Sequence, residues 1–244
     1  MESAMHQVEV IAHRGASAYA PENTYAAFDL ALEMGSDAIE TDVRCTRDGS
    51  VVLCHDATVD RVSNGTGDVA ALTLEDLQDL DFGARFAPRF SGQRVVPVGE
   101  FLLRYGHRCP LVLEIKAQAA CEPLVDTVVA SHLVAGVIFT SFELARLETV
   151  HDVLPQAHIG YLTRTFDSET IQRVRRLGFA QICPRARDLT IPLVGEAHAA
   201  GLVVRAWGVG SPDDQEHALQ MGGDGMTTNW PDRLIARLVQ LGWR

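Results

Sequence analysis

The chain has 244 residues, of which 47% are hydrophobic and 22% are charged, a composition typical of a folded globular protein. Its formal net charge is −11, which argues against nucleic acid or an anionic membrane surface as a partner. The five cysteines are an odd number without a CxxC pair. This predicts unpaired thiols in a cytoplasmic protein rather than a disulfide framework.

The start of the chain, MESAMHQVEV, lacks the basic and apolar regions of a secretory signal peptide. No apolar run approaches the roughly 18 residues that indicate a membrane span. We therefore expect a cytoplasmic protein without a stable membrane anchor. An oligomer is left open by these observations.

Eight short apolar segments alternate with stretches of helical periodicity. In chain order the predicted strands are VEVIA, DAIETDV, LVLEI, GVIFT, HIGYL, AQICP, VVRAW and DGMTT. The first predicted helix covers 24–35 and ends at a glycine. Strands that alternate with helices predict a parallel sheet, and eight such units predict a closed (β/α)8 TIM barrel. We expect one catalytic domain spanning 1–244.

An insertion at about 47–97 interrupts the alternation after the second strand. Its first part, 47–56, carries an Asp-Gly turn signal and a β-rich run, which predicts a hairpin returning along the second strand. The segment 59–97 is rich in glycine and charge, and it reads as irregular. A long insertion in a barrel usually covers the active-site face.

The carboxyl ends of the barrel strands, where TIM-barrel enzymes place their catalytic groups, carry polar residues. These strand-end residues are His13, Arg14, Glu40, Asp42, His55, Glu114, Lys116 and Trp207. Residues i and i+2 of a strand share a face, so Glu40 and Asp42 point the same way.

Three converging carboxylates cannot all stay ionised unless a cation joins them. We therefore predict that Glu40, Asp42 and Glu114 bind a hard divalent metal, Mg²⁺ or Ca²⁺. Zn²⁺ is disfavoured because the cluster offers carboxylate oxygens and no cysteine pair.

The two strand-end histidines, His13 and His55, come from adjacent elements and could flank a reacting group as acid and base near neutral pH. Arg14 and Lys116 supply positive charge suited to a phosphate. Two imidazoles, a metal and two cations around an anion indicate phosphodiester cleavage.

Several motifs in this order resemble those of the glycerophosphodiester phosphodiesterases. They are HRG, PENT, ETD, the TRDG-to-HD stretch, EIK, the HDATVDRVSNGTGDVAALTLEDL insertion, TSF, AW and DGMTTNWP. The resemblance covers nearly the whole chain and is specific when the motifs are taken jointly. It implies a barrel enzyme that hydrolyses glycerophosphodiesters to glycerol 3-phosphate and an alcohol.

When the motifs of the family are matched to this chain residue by residue, the resemblance implies the site already predicted from the strand ends. His13 and His55 are the acid–base pair, and Glu40, Asp42 and Glu114 hold the metal. Arg14 and Lys116 match the phosphate-binding positions. The chain departs from many relatives in reading WGVG from Trp207 and TNWP from Thr228. We expect neither departure to touch the acid, base or metal positions, and both to affect substrate preference.

Other residues have competing interpretations. Trp207 and Phe142 are predicted to form a wall against the substrate, although either could be core. Glu22 could orient the first helix or touch substrate. Cys54 is expected to pack, because strand alternation points it away from His55. Two other functions stay open: a lysophospholipase D that acts on soluble lysophospholipids, and a non-catalytic glycerophosphate-binding protein.

Overall fold

The computed structural model describes residues 8–244, and nine strands lie within this range. They are β1 Glu9–His13, β2 Ala38–Cys45, β3 Val51–Leu53, β4 Leu111–Ile115, β5 Val137–Ser141, β6 His158–Leu162, β7 Gln181–Cys183, β8 Val203–Val209 and β9 Gly225–Thr228. The expectation about a signal peptide rests partly on residues 1–7, which lie outside the described range.

Eight of these strands are parallel and form a closed barrel. Around it the order is β1-β9-β8-β7-β6-β5-β4-β2, and β1 also pairs with β2. The ninth strand, β3, pairs antiparallel with β2 on the outside. The prediction of a (β/α)8 TIM barrel with a hairpin after the second strand is confirmed.

Helices cover the outside of the barrel. Their bounds are α1 Tyr25–Glu33, α2 Leu74–Gln78, α3 Val98–Tyr105, α4 Cys121–Ala130, α5 Leu144–Val153, α6 Ser168–Arg176, α7 Ile191–Ala199, α8 Pro212–Gln220 and α9 Pro231–Gln240. The predicted first helix forms because the Thr24 side chain caps its amino end and Phe28 and Ala31 supply a buried face. Gly35, with φ of 89°, follows its end. None of the helices in the described part of the chain is long and apolar enough to cross a bilayer.

The barrel interior changes from apolar to acidic along two neighbouring strands. Ala38 of β2 and Val112 of β4 pack together in a small buried cluster. The next inward-facing positions along β2 and β4 are Glu40, Asp42 and Glu114, because side chains alternate between faces. The carboxyl ends of these strands therefore carry buried acidic residues at positions where an ordinary barrel core would have apolar side chains.

The insertion at 47–97 is more ordered than its composition suggests. β2 extends two residues past the predicted Val43, because Val43, Arg44 and Cys45 pair with β3. The expectation that 59–97 is wholly irregular is wrong for α2, which Thr73 caps with a capping box. The whole insertion has its own apolar cluster, formed by Val52, Cys54, Val59, Val69, Leu77, Phe82 and Val95.

Candidate active site

The three carboxylates singled out from the sequence meet at the carboxyl ends of β2 and β4. Asp42 and Glu114 are register partners on adjacent parallel strands, and Glu40 lies two residues before Asp42. One oxygen from each of Glu40, Asp42 and Glu114 lies within 4.8 Å of the others, and all three side chains are buried. Spacing of i and i+2 together with strand register thus produces an acidic cluster.

Two cations contact this acidic cluster. Arg14 Nε lies 3.0 Å from one oxygen of Asp42, and Lys116 Nζ lies 3.2 Å from the other. Lys116 Nζ also donates to Glu114 at 2.6 Å. Burial would raise the pKa of Asp42, but the charges of Arg14 and Lys116 outweigh it and lower the pKa to about 2.

For the other two acids, the neighbouring cations do not outweigh the effect of burial on the pKa. Burial, reinforced by the charge of Asp42, raises the pKa of Glu40 to about 8 and that of Glu114 to about 7. Within the described residues, Asp42 Oδ1 is buried and has no hydrogen-bond partner, although the Lys116 charge lies nearby. An oxygen-only donor set with surplus negative charge fits a hard divalent cation such as Mg²⁺ or Ca²⁺.

His13, the last residue of β1, is held by a residue from the other end of the chain. Its Nδ1 lies 2.5 Å from Asn229 Oδ1, and its Nε2 lies 3.9 Å from Glu40. Because an amide oxygen only accepts hydrogen bonds, Nδ1 carries the proton and Nε2 is the unprotonated nitrogen of the neutral ring. Burial, with the positive charge of Arg14, lowers the pKa of His13.

The contact with Asn229 corrects one expectation from the sequence. The TNWP departure was expected not to touch the acid, base or metal positions, and this is wrong for Asn229. β1 and β9 are neighbours because the barrel closes, so the loop after Thr228 reaches the end of β1. Asn229 therefore belongs to the surroundings of His13.

His55 follows β3 and has a similar arrangement. Its Nδ1 lies 2.6 Å from a carboxylate oxygen of Asp56, which makes Nδ1 the protonated nitrogen of the neutral ring. Arg44 donates twice to the backbone oxygen of His55, at 3.0 and 2.7 Å, and so fixes the loop. Burial lowers the pKa of His55 even though the charge of Asp42 opposes the shift.

A chain of ion pairs links the acidic cluster to His55. Arg14 contacts Asp42 through Nε and Glu22 through Nη1, in each case at 3.0 Å. Arg61 makes two 2.7 Å contacts with Glu22 and one of 2.6 Å with Asp56. Sequence reasoning missed Arg61, which lies in the segment predicted to be irregular. That segment thus contributes a side chain to the site.

The PENT motif supports the acidic cluster through Asn23. Its side chain donates to Asp42 Oδ2 at 3.2 Å and accepts from Thr41 at 2.7 Å. Asn23 has φ of 58°, a left-handed conformation that asparagine tolerates better than most residues. The neighbouring Glu22 pairs with arginines and does not cap α1, since Thr24 does. The PENT motif could be identified from the sequence, but the contact of Asn23 with Asp42 could not be predicted from it.

The site contains a cavity of about 570 Å³, which the fully buried Asp42 does not line. Among the predicted site residues, His13, Arg14, Glu40, His55, Glu114, Lys116, Phe142 and Trp207 line it. Phe142 and Trp207 are in edge-to-face contact, with ring centroids 5.0 Å apart. Trp207 Nε1 donates to the backbone oxygen of Thr163 at 3.1 Å, which fixes the ring. Both aromatic residues thus line the cavity, and their contact with substrate stays a prediction.

Cys54 lies beside His55 in sequence but packs elsewhere. Its side chain is buried in the apolar cluster under the insertion. Burial raises the pKa of its thiol to about 12, so it is not poised as a nucleophile. All five cysteines are free.

The sequence profile described as the glycerophosphoryl diester phosphodiesterase family matches residues 13–233. The chain belongs to this family. A glycerophosphodiester phosphodiesterase of Caldanaerobacter subterraneus subsp. tengcongensis is 36% identical over 239 residues, which cover 96% of this chain and 98% of that protein.

Solved structures of similar proteins have the same fold. A glycerophosphodiester phosphodiesterase of Agrobacterium tumefaciens matches with a TM-score of 0.85 and 27% identity, over 94% of this chain and all of that one. A phosphodiesterase of Oleispira antarctica in complex with the product sn-glycerol-3-phosphate matches with a TM-score of 0.82 and 26% identity, over 96% and 97% of the two chains.

Proposed function

We propose that this family member hydrolyses glycerophosphodiesters to glycerol 3-phosphate and an alcohol. In this proposal Glu40, Asp42 and Glu114 bind one divalent metal, and His13 and His55 transfer protons. The observation that carries the proposal is that Glu40 and Glu114 of the buried acidic cluster line the same cavity as the two imidazoles. The product-bound Oleispira antarctica structure supports the choice of substrate class.

The cations of the cavity would hold the phosphate group of the substrate. Arg14 and Lys116 each have about 15% of their side chains exposed, and both line the cavity while contacting Asp42. A divalent cation on the carboxylates would add stabilisation of the negative charge that builds on the non-bridging phosphate oxygens. Arg14 and Lys116 would orient the diester between the two imidazoles.

The two histidines would move the protons that hydrolysis requires. One imidazole, neutral and unprotonated at Nε2, accepts a proton from the attacking water molecule, and the other, doubly protonated, donates a proton from Nε2 to the leaving alkoxide. Asn229 and Asp56 hold the Nδ1 atoms, so both rings keep Nε2 available. The attacking oxygen bonds to phosphorus as the ester oxygen leaves, and water supplies the hydroxyl and proton of the net reaction.

Alanine substitutions test the histidine assignment. His13→Ala and His55→Ala should each lower kcat by roughly a hundredfold or more, the usual loss when general acid–base catalysis is removed. His107→Ala, which changes an exposed histidine outside the cavity, is the matched control. Near-normal turnover in both site variants, with folding intact, would refute the assignment.

Metal removal tests the second part of the proposal. Excess EDTA should abolish hydrolysis of glycerophosphocholine, and Mg²⁺, Ca²⁺ or Mn²⁺ added in turn should restore it to different extents. Full activity in EDTA would remove the metal from the mechanism. Hydrolysis of lysophosphatidylcholine at a higher kcat/KM than glycerophosphocholine would favour the lysophospholipase D alternative.

A further inference from the structure

The row of interior residues that starts in the acidic cluster continues around the barrel. Across β2, β4, β5, β6 and β7 the successive register partners are Asp42, Glu114, Thr140, Gly160 and Gln181. Register partners on parallel strands point to the same face of the sheet, here toward the barrel interior. The row therefore leads from the proposed metal site into a region that no proposed step uses.

The middle of this row has no side chain because residue 160 is glycine, and side chains of the neighbouring strands close around it. A Cβ atom placed on Gly160 would lie 3.2 Å from Gln181 Oε1, from Cys183 Sγ and from Thr140 Cγ2. Arg205 reaches the same region and donates to Cys183 Sγ at 3.4 Å and to Thr227 Oγ1 at 2.6 Å. Polar side chains from β5, β7 and β8 thus meet around Gly160.

Three atoms of this group are buried and lack hydrogen-bond partners within residues 8–244. They are Thr140 Oγ1, Gln181 Oε1 and Arg205 Nε, and the relative exposures of the three residues are 0%, 9% and 2%. Buried polar groups are almost always hydrogen-bonded in folded proteins, so each atom calls for a partner. Thr140 and Arg205 line the catalytic cavity, through which such a partner can enter.

We propose that Thr140, Gln181 and Arg205 form a floor subsite that binds the hydroxyl groups of a polyol esterified to the phosphate. This inference rests on the proposed function of the adjacent site. The Nε–H of Arg205 donates to a hydroxyl oxygen, while Gln181 Oε1 and Thr140 Oγ1 accept from hydroxyl groups. A vicinal diol offers both hydrogen-bond donors and acceptors, whereas the trimethylammonium group of choline offers neither and is repelled by Arg205.

Thr140→Val and Gln181→Leu remove one acceptor each at nearly constant volume. Each should raise KM for glycerophosphoinositol by roughly threefold to tenfold, the effect of one lost hydrogen bond, with kcat within twofold. KM for bis(4-nitrophenyl) phosphate, which has no hydroxyl groups, should not change. Thr149→Val on α5 and Gln172→Leu on α6 are the matched controls.

Two further variants protect the test against misfolding. Arg205→Lys keeps the buried charge but removes the Nε donor, and it should raise the KM for glycerophosphoinositol. Gly160→Ala adds a methyl group that presses on the Thr140 and Gln181 side chains, so it should also raise the KM for glycerophosphoinositol, together with a small loss of melting temperature from the tight contacts. Equal changes for both diesters, or a lower melting temperature without a change in KM, would overturn the floor subsite and assign these residues a structural role.

Calorimetry with Mg²⁺ present distinguishes the two possible sources of the polyol. Weaker binding of glycerol 3-phosphate by Thr140→Val, with binding of inorganic phosphate unchanged, places the glycerol end in the subsite. Unchanged binding of glycerol 3-phosphate with a raised KM for glycerophosphoinositol places the leaving alcohol there. If the unmodified protein cleaves neither diester, the proposed function fails. In that case, equal affinities for glycerol 3-phosphate and inorganic phosphate would overturn the subsite as well, whereas tighter binding of glycerol 3-phosphate would support it.

Discussion

Replacing Gly15 by alanine should destabilise the protein in two separable ways. Gly15 has φ of +81°, and a left-handed conformation costs a non-glycine residue about 1–2 kcal/mol. An added Cβ would also lie 2.5 to 2.7 Å from the backbone carbon, backbone oxygen and Cβ of Ala27 in α1. Overpacking of this kind costs about 1–3 kcal/mol, so we expect a total loss of roughly 2–5 kcal/mol.

Gly49 provides the matched control. It has φ of +83°, but a Cβ there would meet nothing within 4 Å, so Gly49→Ala should cost the backbone strain alone. Urea denaturation of the two variants should therefore differ by about 1–3 kcal/mol, or roughly 3–10 °C in Tm. Gly15→Ala should also reduce turnover, because the neighbouring Arg14 donates its backbone N–H to the backbone carbonyl of Glu40. Equal destabilisation of both variants would refute the close-packing argument.

Three other changes test the electrostatics of the site. The pKa values of Glu40 (about 8) and Glu114 (about 7) are raised in the folded protein, so the metal-free protein should lose stability as pH rises from about 4.5 through 8. Mg²⁺ should therefore raise Tm more at pH 8.5 than at pH 5.5. A gain in Tm that does not depend on pH would contradict this. Asn229→Asp places a negative charge beside His13 and should raise its pKa, measured by NMR titration; an unchanged or lowered value would contradict the contact. Asn23→Ala removes a hydrogen bond to Asp42 and should weaken Mg²⁺ binding by about tenfold in calorimetry, and unchanged affinity would argue against the support role.

The fold could be predicted from the sequence because its signals are local and repeated. Eight apolar segments separated by helical periods specify a parallel barrel, and i, i+2 spacing within β2 places Glu40 and Asp42 on one face. The longer extent of β2 was missed because it depends on pairing with β3 rather than on its own residues.

The supporting contacts of the site could not be predicted in the same way. Asn229 lies 216 residues from His13 in sequence, and the two meet only because β9 closes the barrel against β1. Arg61 comes from a segment without periodicity, so nothing local indicates that it faces Glu22. The convergence beside Gly160 depends on the register of neighbouring strands, which the sequence pattern does not determine.

The central claim is that Glu40, Asp42 and Glu114 share one divalent cation beside the two histidines. The most direct test is anomalous diffraction from crystals of the protein grown with Mn²⁺. We predict a single strong peak with oxygens of all three carboxylates about 2.1–2.3 Å away, and its loss in Asp42→Asn crystals. A peak elsewhere in the cavity, or none at saturating Mn²⁺, would contradict the account.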